Sequence, residues 1–219
     1  MQRRLFLLKQ LSKLYRLQRF GVAYFQDEPI APREELPSDP KRLDLMIANC
    51  HLCELSKRRR RALTGTGAMK RRIMIVTDEP SAREDESGEW FCGDSGEMLK
   101  NMIERAMNLD LDDVYLTAAI KCHSFGESAD AAFVACKEYL AAELERLKPS
   151  VIIALGKRAF NALCETNDAI ASARGRLWRC AFERAMVVPS YSLGYLRTNQ
   201  RAKKEALEDL RLALSVIDG

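Results

Sequence analysis

The sequence predicts an α/β fold built on a mostly parallel sheet, and three observations predict it. Short segments rich in β-branched residues, Ile73–Thr77 (IMIVT), Val114–Ile120 and Val151–Leu155 (VIIAL), run without polar alternation, as strands do when both faces are covered. Helical patterns alternate with them, from about Ser95 to Met107, over residues 131–148, and from Lys157 to Cys164 behind Gly156. A β-α-β-α-β order of this kind closes into parallel strands through helical crossovers. Gly175–Phe182 and Ala185–Val188 are further strand candidates, and Thr198–Ile217 reads as a closing amphipathic helix.

Ahead of this pattern lies an appendage. Leu7, Leu8, Leu11, Leu14 and Tyr15 fall at helical spacing, so residues 3–20 form an amphipathic helix with a basic outer face, expected to dock on the domain or on a partner protein. The first 26 residues carry no Asp or Glu, as in an organellar transit peptide, but their single serine, Ser12, argues against that reading. Residues 26–40 hold four prolines and no periodicity, which makes them a linker. Residues 1–40 are thus a helical extension with a proline-rich linker, and residues 41–219 the domain proper. With 47% hydrophobic content in 219 residues, that domain can bury one substantial core. No apolar run approaches the roughly 20 residues of a membrane span, and Leu5–Leu8 is too short for a secretory signal. A soluble, cytoplasmic protein with no membrane partner is expected.

Chemistry concentrates between Arg72 and Leu99. The strand runs into an acidic loop carrying Asp78, Glu79, Glu84 and Asp85, then Phe91 and Gly93. In open parallel sheets the crevice beyond the carboxyl ends of the strands is where ligands bind. Carboxylates, a ring and a glycine there suit a flat ligand. Net charge is only +4, but the cations cluster as Lys57-Arg58-Arg59-Arg60-Arg61 and Lys70-Arg71-Arg72, with Arg197, Arg201, Lys203 and Lys204 further on. Such clusters are what phosphate-backbone binding needs, and Arg58, Arg59, Arg60, Arg61 and Arg197 are the candidate DNA-binding residues.

Seven cysteines in a chain of this kind suggest metal ligation or burial before disulfides. Cys50-His51-Leu52-Cys53 alone is ambiguous between a redox pair and a metal knuckle. Cys122 and Cys136 supply a second pair, so four thiolates can converge if the early segment lies beside the end of the second strand. A tetrathiolate suits zinc or an iron–sulfur cluster, and ligand type alone does not separate them. Cys92, Cys164 and Cys180 sit among apolar neighbours and read as core. His51 and His123 each adjoin one of the four cysteines and read as supporting or surface residues.

These motifs, in this order, resemble the family-4 uracil-DNA glycosylases, the iron–sulfur branch of the uracil-DNA glycosylase superfamily. Over residues 43–215, the family's C-x-x-C-x-L opening appears as Cys50 to Leu55, its G-E-A-P-G-x-x-E-D loop as Thr77 to Asp85, and its G-x-P-F-V-G turn as Gly88 to Gly93. Its Y-x-T-N-x-x-K-C signature appears as Tyr115 to Cys122, and its K-P-x-(I/V)-I-x-x-L-G pattern as Lys148 to Gly156. The resemblance implies a three-layer α/β/α sandwich around a central, mostly parallel four-stranded sheet. It also implies that Cys50, Cys53, Cys122 and Cys136 hold a structural 4Fe–4S cluster, that DNA containing uracil or another damaged base is the partner, and that the protein works at the nucleoid. By the same resemblance Asp78 is the first-loop carboxylate, with Glu84 beside it as a second catalytic candidate, and Phe91 is the ring that stacks on a flipped base.

The pattern also breaks. Ala118 stands at the base-reading asparagine and offers no polar atom. The closing P-T-x-H-P-x-x-L-L-R motif is here Pro189 to Arg197, with Ser192 where the histidine would donate to the departing base. Losing one preorganised donor at a developing anion costs about 2.7–4 kcal/mol. Two readings follow. The chain is a glycosylase of DNA base-excision repair, a hydrolase with a remodelled pocket and weak or altered activity using Asp78, Glu84 and Ser192, or it is a catalytically degenerate fold that binds DNA or protein.

Overall fold

The computed structural model describes residues 36–37, 39–126 and 129–218. The expected N-terminal helix and most of the proline-rich linker lie outside them. Helix α1, Pro40–Ala48, opens on the Asp39 side chain, which accepts the Arg42 amide, with proline at its first position where a missing N–H costs nothing. The chain then passes the CxxC and a 3₁₀ turn, Glu54–Lys57, before strand β1, Ile73–Thr77.

Helices α2 (Ala82–Ser87) and α3 (Gly93–Asn101) follow, and α3 runs on as a π turn over Met102–Ala106. Strand β2 is Val114–Ala118, helix α4 Asp130–Leu147, strand β3 Val151–Leu155, helix α5 Lys157–Cys164, and a single turn, α6, Ile170–Ala173. Strands β4 (Trp178–Arg179) and β5 (Met186–Ser190) precede helices α7 (Leu193–Thr198) and α8 (Gln200–Asp218).

The sheet order is β2-β1-β3-β5-β4. Strands β2, β1, β3 and β5 are parallel throughout, and only the two-residue β4 runs antiparallel, on the edge beside β5. The expected four-stranded parallel sheet is therefore present with a fifth, short strand added. Gly175–Phe182 contracts to two residues because its pattern is interrupted by charge and it pairs along one side only.

Alternation along buried strands builds two cores. Met74, Val76, Ile152, Ala154 and Val187 meet Leu140 and Leu144 of α4 and Phe160 and Leu163 of α5. Ile73, Ile75, Val151, Ile153 and Val188 point the other way, onto Leu99 and Ile103 and onto Leu210 and Ala213 of α8. Helices on both faces make three layers, and they explain why these strands read as unbroken apolar runs. Among the described residues no helix is long and apolar enough to cross a membrane.

Candidate active site and cysteine cluster

Parallel register brings the chain's separate motifs to one edge. Thr77 lies opposite both Ala118 and Leu155, and Leu155 opposite Ser190, so the last residues of four strands form a single row. Asp78, Ala119, Gly156 and Tyr191 come next, at the mouth where an open parallel sheet binds its ligand. The loops are laced together there, with the Ala119 and Ile120 amides donating to the Thr77 and Asp78 carbonyls and the Gly156 amide to the Ser190 carbonyl.

Asp78 leans over Gly156 onto the start of α5. Its Oδ1 accepts the Ala159 amide at 2.8 Å, and any side chain at Gly156 would collide with the carboxylate, so glycine at φ 124° is required there. Burial pushes this carboxyl up to about 6, against the opposing pull of the Ala159 amide and the Arg158 charge.

Glu84 holds the loop that carries Phe91. Its Oε2 accepts the Ser81 amide at 2.8 Å and the Ser81 hydroxyl at 2.9 Å, and the Ser81 hydroxyl oxygen caps the Glu84 amide. Its other oxygen accepts the Phe91 amide at 3.1 Å. Phe91 has φ 65°, and its backbone presses against Gly96 so closely that a Cβ there would clash. With both oxygens on backbone donors, Glu84 positions the ring's loop. Asp85, also buried, accepts the backbone amide of Arg60 and so ties the arginine run to α2.

Ala118 is fully buried at the end of β2. Ser192 begins α7, its hydroxyl oxygen accepting the Tyr195 amide at 3.3 Å. Tyr191 donates its hydroxyl to Glu205 at 2.9 Å, which commits that proton, and the Tyr195 hydroxyl accepts from Asn199 at 2.8 Å. The turn itself is anchored by buried Asp209 of α8, which accepts from Ser190 Oγ at 2.7 Å, from the Arg174 guanidinium at 3.1 Å and from the Gly175 amide.

Glu79, placed in the acidic loop by the sequence but given no role there, is held between Ser124 and Arg158. Its Oε1 accepts the Ser124 hydroxyl at 2.9 Å, while Oε2 is buried, makes no hydrogen bond, and lies 3.6 Å from Arg158 Nη1. His123 stands 3.9 Å from the same carboxylate and bonds the Pro80 carbonyl through Nδ1. A signal exists in the sequence, because Glu79 occupies the alanine position of the G-E-A-P-G motif.

Cys53 packs against the apolar cluster that holds Cys122 and Cys136, and Cys50 against the neighbouring cluster of Leu43, Ile47 and Tyr139. Cys122 and Cys136 are buried, Cys50 and Cys53 half-buried, and all four are free of disulfides. Burial first, then the neighbouring Cys122 and Cys53, push the Cys136 thiol up to about 11, and burial likewise raises Cys122 against the pull of Arg59. Tyr139 of α4 reaches Cys50 through its hydroxyl. Cys122 and Cys136, pushed up by burial, would need a cationic group beside them to ionise, and Cys50 and Cys53 stand near as two further sulfur donors. Among the described residues no three His, Cys, Asp or Glu draw close enough around one point to hold a single metal ion.

The arginines divide. Arg59 turns inward, donating to Cys122 Sγ at 3.1 Å, to the Cys50 carbonyl at 2.7 Å and to the Ala48 carbonyl at 3.1 Å. Arg60 pairs with Glu86 at 3.2 Å, Arg61 donates to the Ser87 carbonyl, Arg58 lies over the Phe125 ring, and Arg197 pairs with Asp94 at 2.7 Å. These four stay at the surface, where phosphates can compete for them.

The family model of the uracil DNA glycosylase superfamily matches residues 64–211. The chain belongs to the uracil DNA glycosylase superfamily. Curated relatives named Type-4 uracil-DNA glycosylase come from Saccharolobus solfataricus, 29% identical over 77% of this chain and 83% of the relative, and from Archaeoglobus fulgidus, 30% identical over 60% and 69%. A third, from Pyrobaculum aerophilum, is 37% identical over 58% of this chain and 65% of the relative.

Proposed function

We propose that this protein is a uracil-DNA glycosylase of base-excision repair, hydrolysing the N-glycosidic bond of uracil or another damaged base in DNA with weak or altered activity. The observation that carries this reading is the single row Ala118, Thr77, Leu155 and Ser190, which gathers the family's strand-end motifs at one mouth. Phe91, clamped by Glu84, would stack on the flipped base. Asp78, ionised above about pH 6, would face the cationic sugar or orient water. Ser192 keeps its hydroxyl proton free while its oxygen caps α7, so it can donate weakly to the leaving base.

The four cysteines would hold a 4Fe–4S cluster, with Arg59 bonded to one sulfur. What supports this over zinc is the order and spacing of the four cysteines, which follow the iron–sulfur branch that the chain resembles. Bound there, the cluster would tie the CxxC segment to the end of β2 and to α4. Arg58, Arg60, Arg61 and Arg197 would take the DNA backbone.

A second reading has its own observation. Glu84 is wholly engaged in bonds within its own loop and Ala118 is buried, which suits a degenerate fold that binds DNA without excising a base. Single-turnover assays on single-stranded and mismatched uracil DNA, with Asp78→Asn as control, separate the two. Product that the control lacks supports the glycosylase. Bound DNA with no product overturns it in favour of the binding protein.

A further inference from the structure

Behind the turn that carries Tyr191 and Ser192, α3 with its π turn, α7 and α8 enclose a groove of about 490 Å³. Met98 and Met102 line one side, Leu207 the other, and buried Leu196 of α7 lies in the floor. Arg105, Lys203 and Arg211 stand around it, and its lining has neither an acidic residue nor an aromatic ring. Lys203, Leu207 and Arg211 repeat every fourth residue along α8, a stripe facing Met98, Met102 and Arg105. Among the described residues none of the three cations has an ion-pair partner, although carboxylates are plentiful on the same helices. The π turn over Met102–Ala106 lies in this wall, and such turns recur at functional sites.

We propose that this groove docks an acidic amphipathic segment of a partner protein, with leucine-like side chains on the floor and carboxylates on the three cations. Methionine walls adapt to varied apolar anchors. Three cations around an apolar floor match a helix with one apolar and one acidic face. A nucleic-acid strand is a poorer match, since its bases find no ring to stack on and its phosphates would be stripped of water over methionine and leucine.

The test uses the full chain and a fluorescein-labelled model peptide of about 16 residues, with leucine at i, i+3, i+4 and i+7 and glutamate at the remaining positions. Saturable anisotropy is expected at low salt. The triple variant Arg105→Glu, Lys203→Glu, Arg211→Glu should weaken it roughly tenfold or more, and the uncharged change Leu207→Asn should weaken it with the charge of the rim unaltered. These side chains lie at the groove surface, so both variants should keep the parent melting curve. Equal binding of a peptide with lysine in place of glutamate overturns the proposal. So does an unchanged affinity in the triple variant, no saturation at all, or displacement of the peptide by a uracil-free oligonucleotide.

Discussion

Lys121 and Glu143 form a fully buried ion pair, Nζ to Oε2 at 2.6 Å, immediately before Cys122 and two turns after Cys136. Thr117 completes it, its hydroxyl 2.7 Å from Lys121 Nζ and 3.0 Å from Glu143 Oε2. The pair joins the end of β2 to α4 where the two buried cysteines emerge. Removing one partner leaves the other charge buried alone, so Glu143→Ala should cost about 3–5 kcal/mol in urea unfolding. The double change Lys121→Met with Glu143→Leu should recover most of that loss. If the single variant unfolds like the parent, the pair is not holding the two segments together.

Arg59 and its neighbours should separate in two assays. Arg59→Ala removes the bonds to Cys122 Sγ and the Cys50 carbonyl, so in the proposed 4Fe–4S reading iron content and visible absorption should fall while the salt dependence of DNA binding stays. Replacing Arg58, Arg60 and Arg61 should do the reverse, lowering the log–log salt slope by about 0.9 for each duplex phosphate that is no longer neutralised.

Asp78 makes a signed prediction with pH. Its carboxyl, at about 6 in the fold against 3.8 in the open chain, binds its proton more tightly when folded. Protonation therefore stabilises the fold below about pH 4, and that contribution fades as pH rises through 6, by about 3 kcal/mol overall. Asp78→Asn can still accept the Ala159 amide, so it should flatten the stability profile between about pH 4 and 6. In the glycosylase reading, excision should rise with pH through about 6 in the parent and be absent from the variant.

Glu84→Ala should act on the loop. It deletes the bonds to Ser81 and Phe91, and loss of a cap of this kind typically costs about 1 kcal/mol or more. Because Phe91 sits at φ 65°, hydrogen exchange at its amide should accelerate beyond what the global loss accounts for. Ser81→Ala, which leaves the Glu84 bond to Phe91, should show the stability loss with little change at Phe91.

Much of this fold is readable along the chain. Unbroken apolar runs announce β1, β2 and β3, and their lack of alternation already implies helices on both faces. The S-x-x-E spacing of Ser81 and Glu84 marks the start of α2, a helix that the acidity of the loop disguises. The departures at Ala118 and Ser192 are visible once the motifs are aligned. Local chemistry writes such features, because a cap, a strand or a missing amide involves residues within a few positions of one another.

What the chain order could not decide is which distant residues meet. Placing β3 beside β1 and β5 beside β3 is what lines up Thr77, Ala118, Leu155 and Ser190, and the same packing turns Arg59 from the surface run onto Cys122. It also buries Lys121 against Glu143, gives the second oxygen of Glu84 to Phe91, and leaves Glu79 with a carboxylate oxygen unbonded beside Arg158. Each of these depends on long-range burial and charge compensation. A run of arginines looks uniform in sequence, and only the folded environment separates the one that serves sulfur from those that face water.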